Sequence, residues 1–184
     1  MKKYETIDSI IDFWFSDDMA KQWFNSTPEL DLKIKSNFEE IYQSAVNGEL
    51  DHWQTSPLGC LALILLFDQF PLNMYRGKEQ SFATESRSRA VAEQAINNSF
   101  DEKLSDQQKV FVYMPYMHSE DLEDQAKGIE LYSKAGLKEN LRFAKHHHDI
   151  VERFGRFPHR NKILGRTNTP EEEVYLNSKQ AFLG

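Results

Sequence analysis

The sequence predicts an all-α fold, a single domain over residues 1–184 built from about seven to eight mostly antiparallel helices. Three observations carry that expectation. Apolar residues recur three and four apart along most of the chain, capping residues, prolines and glycines punctuate the pattern at helix-length intervals, and no stretch alternates as a strand does.

Each element has its own signal. Thr6 to Phe15 is a short amphipathic helix whose Ile7, Ile10, Ile11, Trp14 and Phe15 dock on the body. Ser26-Thr27-Pro28-Glu29 offers an N-cap, a first-turn proline and a glutamate three residues after Ser26; Leu30, Ile34, Phe38, Ile41 and Ala45 follow at helical spacing, and Gly48 closes the helix. Pro57 opens a second helix through LGCLALILLFDQF, apolar on every face and therefore central, ended by Pro71. A third runs from about Ser81 to Asn97-Asn98, with Ala83, Ala90, Ala92 and Ala95 allowing close packing. Ser105-x-x-Gln108 caps a fourth that ends near Pro115, and Ser119 caps a fifth that runs to Gly136, with Glu120 and Asp121 at its positive end. Leu137 to Phe154 is a sixth, stopped by Gly155, and Thr169-Pro170-Glu171-Glu172 is a capping box that opens a last helix to the C-terminus. A repeat of about 34 residues leaves no signature in the letters.

Composition narrows the class. Hydrophobic residues are 40% and charged residues 28% of the chain, the profile of a globular protein. The start, MKKYETIDSI, lacks the apolar core of a signal peptide, and the longest apolar run, Leu58–Phe67, is too short to span a bilayer, so a cytoplasmic location and no membrane association are expected. Cys60, the sole cysteine, lies in that run and reads as a small buried hydrophobe in a reducing compartment. Net charge is −7, yet between Arg142 and Arg166 seven basic residues face only Asp149 and Glu152, a local balance of +5 that leaves −12 elsewhere. One local basic patch on an acidic protein is a poor nucleic-acid footprint; it suits the protein's own carboxylates or a small anion.

The most informative stretch is Arg153–Asn161, RFGRFPHRN. Gly155 and Pro158 make it a turn, pinned by Phe154 and Phe157, that presents Arg153, Arg156, His159 and Arg160 to something acidic. Together with Asp68–Gly77 (DQFPLNMYRG), Tyr113-Met114-Pro115 with His118–Leu122 (HSEDL), Leu164-Gly165-Arg166 and the Asp12–Phe15 start, it resembles one bacterial family of uncharacterised proteins over nearly the whole chain. That resemblance implies a tetratricopeptide-like helical fold, of a kind that often scaffolds peptide partners, and no established activity. The family pattern usually has arginine after the proline of the first motif, where this chain has Leu72.

Three constellations could carry chemistry. Asp68 follows an apolar run near a helix C-terminus, where a carboxylate needs a cation; Arg76 or an arginine of RFGRFPHRN would latch it, or Asp68 would orient a histidine. His118 precedes a helix start, beyond what capping explains. Of His146-His147-His148, helical spacing to Ile150 and Phe154 turns His147 inward and leaves the other two solvated; adjacent histidines point about 100° apart and cannot share one metal. No metal site and no cofactor are expected: nucleophile elbows, phosphate loops and His-x-x-x-His spacings are missing from the letters.

Three functions are compatible with these residues. The first is a binding module with Arg76, His118, His147, Arg153, Arg156, His159 and Arg160 lining a pocket for a small anion or a protein carboxylate. The second is a buried structural network in a protein-interaction scaffold. The third is a hydrolase-like enzyme with His118 or His147 as general base and Asp68 in support.

Overall fold

The computed structural model describes residues 6–183, so the first half of MKKYETIDSI and Gly184 lie outside it. Among the described residues the regular structure is all helical, without a strand, and they group into two compact units.

In the first unit, Thr6 caps α1 (Ile7–Trp14) with a full capping box, and Ser16 caps the short α2 (Asp17–Ala20). Thr27 rather than Ser26 caps α3 (Pro28–Val46), because the Ser26 hydroxyl donates to Asp31 instead. The central helix starts at Ser56, which caps α4 (Pro57–Ile64). It widens into a π turn over Leu65–Gln69 and continues as α5 (Phe70–Met74). Pro71 therefore does not end it. A proline strips the carbonyl four residues back of its helical partner. Here that carbonyl belongs to Phe67 and accepts the Thr84 hydroxyl at 2.6 Å, so the π turn and Thr84 together carry the helix past the proline.

Of the window Pro57–Met74, long and apolar enough to cross a membrane by composition, 78% is buried inside the protein, the packing of a core helix. Trp14 is 1% exposed and meets Phe70 at 5.2 Å and Phe111 at 5.6 Å, while Phe38 meets Phe70 at 4.5 Å. Rings buried this way stabilise by about 2–3 kcal/mol each. A short 3-10 turn, Glu79–Phe82, precedes α6 (Glu85–Asn97), which starts later than the spacing predicts. Ser105 and Gln108 cap each other as expected, but α7 (Asp106–Met117) runs through Pro115.

In the second unit, Asp121 is the N-cap of α8 (Leu122–Lys134), accepting from the N–H groups of Glu123 and Asp124. Ser119 lies two residues too early and donates to Asp124. Gly136, at φ +70°, turns the chain into α9 (Lys138–Phe154), which packs back on α8 as a helical hairpin. Gly155, at φ +68°, ends α9 in the left-handed conformation. The Thr169 capping box opens α10 (Pro170–Leu176), which stops short of the C-terminus.

Candidate functional site

The expected residues divide between the units. Asp68 and Arg76 belong to the first, and His118, His147, Arg153, Arg156, His159 and Arg160 to the second. Asp68 is buried in the π turn and accepts from Gln69, whose amide also reaches the Met114 sulfur at 3.2 Å. Arg76 latches a different acid from the one expected. Its Nε and Nη2 hold Asp31 at 2.6 and 3.1 Å, and Asn73 and Ser26 complete the shell of that carboxylate at 2.8 and 2.7 Å. Burial would raise the Asp31 carboxyl, but these bonds outweigh it and hold it below the usual range.

RFGRFPHRN forms the turn its breakers predict, and the acid it faces is α10. Arg153 donates from Nε to Glu171 at 2.9 Å on the surface, with Nη2 2.8 Å from the same oxygen in an ion pair. Arg156 grips Glu172 with both ends of its fork, Nε at 2.6 Å and Nη2 at 2.8 Å, and also reaches the Thr167 carbonyl. Glu172 is 1% exposed. The Thr169 N–H at 2.7 Å and the Asn161 amide at 3.2 Å complete its bonding. The Arg156 bonds drive its carboxyl down to about 2.

A second fork, Arg166, holds Glu120 at 2.6 and 2.9 Å. Glu120 also accepts the Phe157 N–H at 2.8 Å, tying the start of α8 to the turn. Burial pushes the Glu120 carboxyl up, but the Arg166 and Phe157 bonds, with the charges of Arg166 and Arg160, bring it below the ordinary value.

The histidines sit on the other side of Phe157. His147 is buried, as its spacing predicts, and its Nδ1–H donates to the Phe143 carbonyl at 2.8 Å; His146 is exposed and His148 partly so. Burial chiefly, then the neighbouring charges of His118, His146 and Arg160, pushes the His147 imidazole down to about 4. His159 is taken to about 3 by burial and by Arg160, His147 and His118, and its Nδ1 is buried without a hydrogen-bond partner in the protein. Both rings are therefore neutral near pH 7. Phe157 lies 5.5 Å from His147 and 5.7 Å from His159, with the Arg160 guanidinium 4.7 Å from its own ring centre. Across from it, Phe182 fits between the two imidazoles, 4.6 Å from His147 and 5.0 Å from His159.

Two clefts lie elsewhere. A cleft of about 840 Å³ has Trp53, Pro57, Lys103 and Gln108 in its walls, and a second has Asp12, Asp18 and Lys33; both lie in the first unit and neither includes a candidate residue. Sequence reasoning gave Glu172 its capping-box role but missed the long-range partners of Glu172, Glu120 and Asn161, which are 16, 46 and 11 residues away. It also passed over His148, Asp149 and Glu152, whose ligand atoms lie within 4.8 Å of one another. The signal for that group was the His148/Glu152 spacing of four.

Residues 10–180 match the model of a family described as bacterial protein of unknown function, DUF924. A solved structure of a protein of unknown function from Agrobacterium tumefaciens is similar at 40% identity and a TM-score of 0.88, covering 93% of this chain and 96% of that one. No curated protein matches.

Proposed function

The chain belongs to the bacterial DUF924 family, and for this member we propose a non-catalytic role, a helical protein-interaction module in which the arginine motifs are internal clamps and not an anion pocket. One observation carries this reading. Arg76, Arg153, Arg156 and Arg166 each hold a carboxylate of their own unit. An incoming anion would have to displace Glu172 from Arg156, and that carboxylate is held as well by the Asn161 amide and the Thr169 N–H. Of the other expected pocket residues, His147 and the Nδ1 of His159 are buried. Both rings are uncharged imidazoles, which attract an anion weakly. The tetratricopeptide-like character implied by the family resemblance belongs to the same reading, because helical scaffolds of that kind offer grooves to peptides.

A thermal-shift comparison of the wild type and Arg156→Ala tests it, with phosphate, succinate, phosphorylated metabolites and divalent metals as additives. A ligand at ~100 times its dissociation constant stabilises by roughly 2.7 kcal/mol, a visible rise in Tm. The expected result is no rise with any additive and a lowered Tm in Arg156→Ala. A rise in the wild type that vanishes in the variant would restore the anion pocket.

A further inference from the structure

The cluster around Phe182 names the class of partner, on the premise that the protein is an interaction module. The socket has three walls. His147 and His159 flank the Phe182 ring at 4.6 and 5.0 Å, Phe157 closes behind both imidazoles at 5.5 and 5.7 Å, and Ile150, Val151 and Tyr175 make the floor.

The walls are held by bonds that do not involve the occupant. His147 is fixed to the Phe143 carbonyl, Phe157 hangs from Glu120 by its N–H, and Arg160 stacks on Phe157. The occupant is held lightly. Beyond its ring, Phe182 makes one hydrogen bond, N–H to the Tyr175 hydroxyl at 2.9 Å. Its neighbours Lys179, Gln180 and Leu183 are exposed, the last at 69%. A socket whose walls are bonded independently of its occupant, filled by one aromatic side chain on a mostly exposed segment, has the form of a peptide site with an internal occupant.

We propose that the socket of His147, Phe157 and His159 is a binding site for an aromatic side chain on a segment of a partner protein, and that Phe182 is its displaceable internal competitor. A segment tethered this closely acts at an effective concentration on the order of millimolar, so if its own dissociation constant for the socket is near ~100 µM it weakens any competing partner about tenfold.

The probe is a fluorescein-labelled peptide with the sequence of residues 177–183, titrated into full-length wild type and full-length Phe182→Ala. The expected result is binding to Phe182→Ala at least tenfold tighter than to the wild type, lost when His159→Ala is added or when the peptide's own phenylalanine is replaced by alanine. No binding to a Phe182→Ala protein that still melts cooperatively overturns the proposal, and so does equal affinity for the two proteins. A wild-type dimer abolished by Phe182→Ala also overturns it, by assigning the socket to the same segment of a second copy. Should Phe182→Ala not fold, Phe182→Trp serves: unlabelled peptide must shift the emission of the introduced tryptophan, read as the difference from wild type, to the red. An unchanged spectrum overturns the proposal. None of these results depends on anion binding at Arg156, so failure here and failure of the clamp reading are distinguishable.

Discussion

Acidification from pH 7 to pH 5 should destabilise the second unit through its two buried histidines. Both are held below the ordinary value of 6.5, His147 at about 4 and His159 at about 3, so the unfolded chain takes up protons that the native state refuses. Their neutral burial costs nothing above pH 6.5. Stability then falls as the pH drops below 6.5, by about 1.4 kcal/mol per pH unit for each group, until the native pKa is reached. At pH 5 the loss is about 2 kcal/mol for His147. For His159, whose native value also lies below pH 5, it is about the same, giving ~4 kcal/mol together. These values already include the neighbours: His118 and Arg160 oppose a charge on either ring, His146 one on His147 and His147 one on His159, against the Phe143 carbonyl at His147 and Glu120 at His159.

Depressed carboxyls such as Glu172 contribute stability that is intact above about 4.5 and lost only below it, so pH 5 to 7 isolates the histidines. Urea unfolding followed by far-UV circular dichroism is the assay, because the tryptophans, Trp14, Trp23 and Trp53, all lie in the first unit. His147→Gln should remove about half or more of the pH dependence. Unfolding free energies equal at pH 7 and pH 5, or a His147→Gln protein that keeps the full dependence, would refute the reasoning.

Other substitutions test other joints. Arg156→Ala should cost about 2–4 kcal/mol in chemical denaturation, because it strands the buried Glu172 carboxylate; the partial exposure of Arg156 keeps the value at the lower end. Gly59→Ala should cost more than about 3 kcal/mol or abolish folding, since its Cβ would lie 2.0 Å from the Trp53 carbonyl oxygen; circular dichroism melts check it. Thr84→Val should cost about 1–3 kcal/mol by leaving the Phe67 carbonyl without its hydroxyl, and a loss below about 0.5 kcal/mol would mean that the π turn alone accommodates Pro71.

The helices were legible because their signals are local. Thr6, Ser56, Ser105 and Thr169 act within three residues, and the spacing that turns His147 inward is a property of one helix. The errors arose where a distant partner decided the outcome. Pro71 reads as a stop until Thr84 supplies the missing donor, and Ser26 reads as a cap until Asp31 claims its hydroxyl. Asp68 and Arg76 looked complementary in sequence, but Asn73 and Ser26 had already built a carboxylate shell around Asp31 for that arginine. The site was half legible for the same reason. Arginines facing something acidic could be read from the letters, whereas the identity of the acid depends on how the Gly155 turn carries the chain back to α10.

Glu172 has one further consequence. Seven residues are too few for a helix to persist alone in water, and the carboxylate that completes the first turn of α10 is also the one gripped by Arg156 and Asn161. Neither α10 nor the loop before it can detach while the other stays in place. In native-state hydrogen exchange, amides from Arg156 to Leu176 should open together, with one shared free energy and one shared response to denaturant. The 177–183 segment should open earlier, on a curve of its own.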